Sequence, residues 1–401
     1  MSRRVVVTGL GVITSIGTTP RALWEGLMAG RSGAAPVTTF DCSEIGRSIG
    51  CEIKEFEKAF PEISRAPYGR ATQLAIAAAK EALTDAGVNP AQDPRIALCV
   101  GTTMSECHSG IAVEGVTLTV DGKQLPSMSL EQLGCDAIGQ GTRRALQLQG
   151  QVITIPTACA AGNYAIGHGF DLIKNGTSDM VLAGGSDAFS RIAFMGFARL
   201  QALAMEVCRP FDRNRQGLLV SEGSAFLVLE SWEGAMARGA TPYAELLGYG
   251  LSCDGFHITS PHPEGLGAAL AIERALGAAA VSVEDVDYIS AHGTGTQAND
   301  RMETLAIKRV FGKRVRSTPV SSIKSVLGHA MGAASAIEAV VCCLALKHQV
   351  LPPTWNYQDP DPDCDLDYLP NEPRETGNTD VVISNSFAFG GNNACIVLRR
   401  V

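Results

Sequence analysis

The stretch Val152-Ile-Thr-Ile-Pro-Thr-Ala-Cys159-Ala-Ala-Gly162 passes from an apolar, β-branched segment into a small-residue segment. The first part reads as a buried strand and the second as the start of a helix running from about Ala158 to Asn175. Cys159 therefore stands at a strand-to-helix junction. Backbone N–H groups at a helix N-terminus favour the thiolate, the nucleophilic form of cysteine. Small neighbours leave room for a thioester. Of the twelve cysteines, only this one is so placed. Taken alone, Cys159 is still better explained as a buried structural cysteine.

The same alternation extends along the chain. Val5–Val7, Arg95–Val100, Met180–Ala183 and Ser224–Glu230 read as strands, with helices over Pro20–Met28, Ala71–Gly87, about 129–148 and Trp232–Arg238 between or beside them. The second part repeats the pattern. Strands over Tyr243–Ser252, Val286–Ala291, Ser317–Ser321, Asp380–Ser384 and Cys395–Arg399 alternate with helices over Leu266–Gly277, Glu303–Val310 and 331–347. This predicts an α/β protein with mainly parallel sheets and loops gathered at strand ends. The two parts share no obvious sequence identity, so any duplication is structural. Residues 352–378, rich in Pro, Asp and Asn, read as a surface excursion.

Composition sets the outer limits. The 401 residues suffice for two large domains or one duplicated fold, and 45% hydrophobic content supplies a large core. A net charge of −8 with mixed signs argues against a general nucleic-acid binder. The cysteines have neither C-x-x-C pairs nor regular spacing, which suits a reducing cytoplasm. Gly9 and Gly11 break the apolar N-terminal run, so it reads as a first strand and turn, not a leader. Ala333–Leu346 is apolar but interrupted by Glu338 and too short to span a bilayer, so no membrane role is expected.

Two distant histidines complete a constellation. His292 ends a strand and precedes Gly293-Thr-Gly-Thr296, the edge where α/β sheets form ligand crevices. It also fits a solvated loop. His329, in Lys324-Ser-Val-Leu-Gly-His329-Ala-Met-Gly332, begins a helix, where a neutral imidazole with a lowered pKa donates from one nitrogen. Competing motifs fail. Gly9-Leu-Gly11 lacks the third glycine of a dinucleotide fingerprint, and Gly328–Ser335 lacks the Gly-Lys-Ser/Thr of a phosphate loop. His257 and His262 lack metal-ligand spacing, so no metal is expected.

Thr157-Ala-Cys159, His292-Gly-Thr-Gly-Thr296, Lys324-Ser-x-x-Gly-His329 and Asn385-Ser-Phe-Ala-Phe389-Gly-Gly391 follow one another in this order. With Val7-Thr-Gly-Leu-Gly11, Cys208-Arg-Pro-Phe-Asp-Arg213, Glu222-Gly-Ser and Asp254-Gly-Phe-His-Ile-Thr-Ser260, the chain resembles the β-ketoacyl-acyl-carrier-protein synthases, type II condensing enzymes of the thiolase superfamily. The resemblance implies a thiolase-like α/β fold: two similar βαβαβαββ halves, 1–240 with the cysteine and 241–401 with both histidines, stacked as five α-β-α-β-α layers.

It also implies a decarboxylative Claisen condensation in fatty-acid or polyketide elongation. Cys159 would take an acyl chain as a thioester; His292 and His329 would assist malonyl decarboxylation and stabilise the enolate. Lys324 would order the histidine region, and the backbone N–H groups of Cys159 and Phe389 would form the oxyanion hole. Phe389, Ala388, Phe197 and Met104 would shape the acyl gate and pocket, and Thr294 and Thr296 the pantetheine side. No cofactor is implied beyond the phosphopantetheine of the carrier. The partners would be acyl carrier protein and a second subunit, as a homodimer or a heterodimer with a related chain. Arg65, Arg70, Arg209 and Arg213 are candidate docking residues for the acidic carrier.

The chain departs from the family pattern in three places. Ala388 stands where glycine is usual, and its Cβ restricts a loop that must move when the chain enters. Ser335 replaces the last glycine of a Gly-Ala-Ala-Gly run. Residues 102–150 are the least family-like, which implies a distinct acyl preference. The rivals are a specialised polyketide ketosynthase working with a chain-length-factor-like partner and a non-catalytic chain-length-factor-like subunit. The intact Cys159/His292/His329 set weighs against the second. A thiolase or a type III synthase would pair cysteine with one histidine and an asparagine, or with a second cysteine.

Overall fold

The computed structural model describes residues 3–93, 95–107, 119–120, 123–124 and 134–401. Ten strands form one continuous sheet. In chain order they are β1 (Val5–Ile13), β2 (Ala97–Gly101), β3 (Val152–Ile155), β4 (Met180–Asp187), β5 (Gly223–Ser231), β6 (Ala244–Cys253), β7 (Tyr288–Ser290), β8 (Val320–Ser321), β9 (Val381–Phe387) and β10 (Asn392–Arg399). Their spatial order is β8-β7-β9-β10-β6-β1-β5-β4-β2-β3. Counted from its own first strand, each five-strand half has the order third, second, fourth, fifth, first. The pairing senses agree as well. β2 runs parallel to β3 and β4, and β7 parallel to β8 and β9; the β4–β5, β5–β1, β9–β10 and β10–β6 pairs are antiparallel. An antiparallel β1–β6 pair joins the halves. Duplication is thus visible in topology where sequence identity is not.

The sheet is mixed, not mainly parallel. Alternating elements imply parallel pairing only when each connection crosses a sheet face through a helix. The final pair in each half instead folds back on itself, and the first strand joins it antiparallel.

Helices complete the layers. α1 (Pro20–Met28) is capped by the Thr19 side chain. α2 (Arg70–Asp85) and α3 (Ala137–Leu146) cover the outer face of the first half, and α4 (Ala161–Lys174) follows β3. α5 (Arg191–Arg199) is capped by Ser190. α6 (Leu266–Ala279) and α7 (Gln297–Phe311) cover the outer face of the second half, and α8 (Ala334–His348) follows β8. α4 and α8 pack against each other and against strands of both halves, so they form the central layer of five. Their inner faces share one apolar cluster with β1, β4, β5 and β10.

Three helix readings shift. α7 begins at Gln297, two turns before the expected Glu303, because the Thr296 hydroxyl accepts from Asn299 N–H and caps it. Within the expected helix over 129–148, α3 begins at Ala137; residues 129–133 lie outside the described residues. The stretch Met331–His348 is apolar enough by composition to cross a membrane, yet 89% of it is buried in the protein core.

Candidate active site

Each central helix is entered through a short 3-10 turn, Ala158–Ala160 before α4 and Met331–Ala333 before α8. Both turns open on a non-glycine residue in the left-handed region, Ala158 at φ 52° and Met331 at φ 51°. Such a residue is strained and persists only where its surroundings dictate the backbone. The surroundings here are tight. A Cβ on Gly101 would fall 2.3 Å from the Ala161 carbonyl, and one on Gly162 would fall 2.7 Å from Ala336 N. Glycine lets β2 meet the entry of α4, and α4 meet the entry of α8.

This packing brings Cys159, His292 and His329 together. One N or S atom from each lies within 4.8 Å of the others, and all three residues are buried. The imidazole rings stand nearly perpendicular, with centroids 5.4 Å apart. His329 is held from the other half: its N–H donates to Leu219 O (2.7 Å) and its carbonyl accepts from Ser221 N (2.9 Å). His292 and Gly293 donate their N–H groups to the two oxygens of buried Glu303, each at 2.8 Å.

Hydrogen bonds define the tautomers. His329 Nδ1 accepts from Met331 N–H at 3.1 Å, so the ring proton sits on Nε2. That Nε2 has no partner among the described residues. His292 Nδ1 faces Lys324 Nζ at 3.4 Å, a group that donates also to His292 O (2.8 Å) and to Glu338. The His292 proton is therefore on Nε2 too. Burial, with Lys324 adding to it, holds both imidazoles well below their usual pKa, and His329 lowers His292 further. Two neutral N–H donors result. Lone-pair metal ligation would require both tautomers to change.

Burial also pushes the Cys159 thiol up, to about 11; Lys324 and the backbone N–H groups of Phe389 and Cys159 pull in the opposite direction. The backbone N–H groups at the helix entry do favour the thiolate, as the strand-to-helix junction implies, but burial outweighs them and the thiol is held up. The Cys159 carbonyl accepts from Ser386 Oγ (3.0 Å) and Ser335 Oγ (3.5 Å). Ser335 Oγ also accepts the N–H of Asn163 in the first turn of α4 (3.0 Å). The departure at Ser335 thus ties the two helix entries together.

A cavity of about 300 Å³ opens onto the triad. Phe197, Ala388, Phe389, Thr294 and Thr296 line it, and the Thr294 and Thr296 hydroxyls are 2.9 Å apart. The Phe197 and Phe389 rings meet at 5.4 Å between centroids. Ala388 is extended, at φ −127° and ψ 156°, a conformation that needs no glycine. Met104 does not line this cavity. Its N–H binds the buried carboxylate of Asp187, which also accepts from Thr102 Oγ1 and from Thr103 and Gly332 N–H.

Of the arginines, Arg65 and Arg213 are exposed. Arg209 is half-buried and donates to Gln358. Arg70 is not a docking residue of the expected kind. Its guanidinium is spent on Glu222 (2.9 Å), Glu57 (3.0 Å) and Ile53 O, over the Phe56 ring. A helix N-terminal arginine looks like a surface charge in sequence; the buried carboxylate that claims it lies 152 positions away.

Glu303, Glu338 and Asp187 were not anticipated as site residues. Glu338 had a visible signal: a lone carboxylate within an apolar helix requires a buried partner, here Lys324. Asp187, at the end of an ordinary strand, carries none.

The beta-ketoacyl synthase N-terminal domain model matches residues 2–235 and the corresponding C-terminal domain model matches residues 243–358. The chain is 42% identical to nodulation protein E of Rhizobium sp. (strain N33), over 100% of both chains. It is 39% identical to 3-oxoacyl-[acyl-carrier-protein] synthase 2 of Synechocystis sp., covering 99% of this chain and 98% of that one. The solved structure described as the ishigamide ketosynthase/chain length factor superposes with a TM-score of 0.90 at 43% identity, over 100% of both chains.

Proposed function

Because the chain belongs to the β-ketoacyl synthase family and carries out its carbon–carbon bond-forming acyl transfer, we propose that Cys159, His292 and His329 divide the reaction between them. The observation that carries this reading is the buried Cys159 thiol gathered with two neutral imidazoles, each with its proton on Nε2, at a cavity that opens onto all three. Cys159 sulfur attacks the carrier-bound acyl thioester, the carrier thiol leaves, and the chain becomes a cysteine thioester. The raised thiol loses its proton as the sulfur attacks; both imidazoles already hold a proton on Nε2, so that proton passes to the departing carrier thiolate, which leaves as the thiol.

A malonyl thioester then enters. Its carboxylate carbon–carbon bond breaks, carbon dioxide departs, and the electron pair remains as an enolate. The Nε2–H donors of His292 and His329 stabilise the enolate oxygen in surroundings that exclude water. The enolate carbon attacks the cysteine thioester. The oxyanion falls to the Cys159 and Phe389 N–H groups, and collapse expels the cysteine thiolate with release of the β-ketoacyl product. Lys324, held by Glu338, is a positioning residue that keeps the His292 proton on Nε2.

The carrier is an acyl carrier protein, in line with the naming of the Synechocystis relative. We assign the second subunit to a related chain-length-factor-like protein in preference to a second copy; the similarity to the ishigamide ketosynthase/chain length factor supports this. Arg65, Arg209 and Arg213 remain the docking candidates. The complete triad favours a catalytic chain over a shaping subunit.

The test is intact-mass detection of an acyl adduct with a panel of acyl carriers, on the wild type and on Cys159→Ala. We expect a one-acyl adduct on the wild type only, and condensation reduced on the order of 10⁴-fold or more in the variant. An adduct that survives the substitution overturns the assignment.

A further inference from the structure

Arg215 lies outside the triad, and its buried guanidinium is bound on several sides. Nη1 donates to Asp212 O (2.8 Å) and to Asp361; Nε stands 3.7 Å from buried Asp300 and donates to Thr296 O (3.4 Å); Nη2 donates to Gln297 O (3.4 Å). In return, Gln297 Nε2 donates to Arg215 O at 2.8 Å. Asp300 holds the same corner from beneath, accepting from Gly295 N (3.2 Å) and Phe211 N (2.7 Å).

These contacts have a common geometry. Thr294, Thr296 and Gln297 line the catalytic cavity, and so do Gln216 and Gly217, the residues next after Arg215. Arg215 therefore ties together two segments that line the cavity. Its outer anchor, Asp361, belongs to the Pro- and Asp-rich excursion 352–378. That excursion is pinned to the same segment by Gln358 N and Asp359 N donating to Asp212 (2.7 and 2.8 Å).

We propose that Arg215, braced by Asp361, is a positioning residue for substrate binding: it fixes the Thr294–Gln297 segment against the Gln216–Gly217 segment, and so the grip on the pantetheine arm of the incoming thioester. This rests on the reading that the cavity receives a carrier-borne thioester. A planar fork suits the task. It gives several donors in fixed directions, so the Thr296 and Gln297 carbonyls are held at a defined separation, which a lysine cannot reproduce. Arg215 touches none of Cys159, His292 and His329, so the effect falls on binding of the arm and not on the chemical step.

The experiment compares Arg215→Lys and Asp361→Asn with the wild type in acyl transfer to Cys159, followed by intact mass over a range of donor concentrations. Two donors are used: an acyl-pantetheine, and an acyl-N-acetylcysteamine, which lacks most of the pantetheine arm. For acyl-pantetheine, we expect half-saturation about tenfold higher in Arg215→Lys and a smaller rise in Asp361→Asn, with the maximal rate within about twofold. The short donor should react alike with all three proteins. Unchanged half-saturation for acyl-pantetheine in both variants overturns the inference, as does an equal loss with both donors. If Arg215→Lys does not fold, Asp361→Asn decides by the same criteria. A wild type acylated by neither donor sinks the underlying reading of the cavity instead.

Discussion

The turn entering α4 and the turn entering α8 occupy equivalent places in the two halves, yet they carry opposite chemistry. Each follows the third strand of its half, begins on a strained left-handed residue, and leads into a central helix. One presents a thiol; the other stands beside an imidazole whose Nδ1 accepts the turn's own N–H. Duplication supplied two matching, rigid helix entries in the middle layer. Side-chain identity then assigned one to the nucleophile and the other to anion stabilisation.

If this division holds, the two turns should fail separately. After the loss expected of Cys159→Ala, the next largest effect is that of His329→Ala: condensation should fall about 10²–10³-fold, while acyl transfer to Cys159 persists. Separate assays of adduct formation and of carbon dioxide release check this. Equal loss in both would show the turns to be one catalytic unit.

The next effect concerns protonation. Burial holds the resting thiol near a pKa of about 11, so only the minor thiolate fraction is alkylated at neutral pH. Iodoacetamide labelling of Cys159 should quicken about tenfold per pH unit up to at least pH 10. A plateau beginning near pH 8 would mean that the helix-entry field defeats desolvation. The histidines, held below their usual range, should add no step between pH 7 and 10.

The smallest effect tests the tie between the turns. Ser335→Gly restores the residue usual in the family while removing the links to Asn163 N–H and the Cys159 carbonyl. A stability loss of about 1 kcal/mol is expected by denaturant titration, with acylation slowed a few-fold. No change in either would make Ser335 a neutral filler.

Much of this molecule was legible in its residues. Strand–helix alternation, the junction at Cys159 and the loop placement of His292 follow from local periodicity, glycine punctuation and helix-start signals. The mixed sheet was not legible, because periodicity within a strand says nothing about the direction of its neighbour. Arg70 was misread for a related reason: Glu222, which claims its charge, approaches only after the chain has folded. Glu338 sat in plain view as a carboxylate in an apolar helix, but nothing in the chain order sets Lys324, 14 positions earlier, against it.

By itself, the sequence determined which chemical groups exist and the local element on which each one sits: a cysteine before a helix, two histidines in glycine-rich turns, a carboxylate inside an apolar run. Only the tertiary structure decided that residues 159, 292 and 329 share one cavity, which imidazole nitrogen keeps its proton, and that the thiol rests protonated. The reason is physical. Chain order limits local conformation, whereas desolvation and hydrogen-bond partnership depend on atoms that distant segments bring into contact.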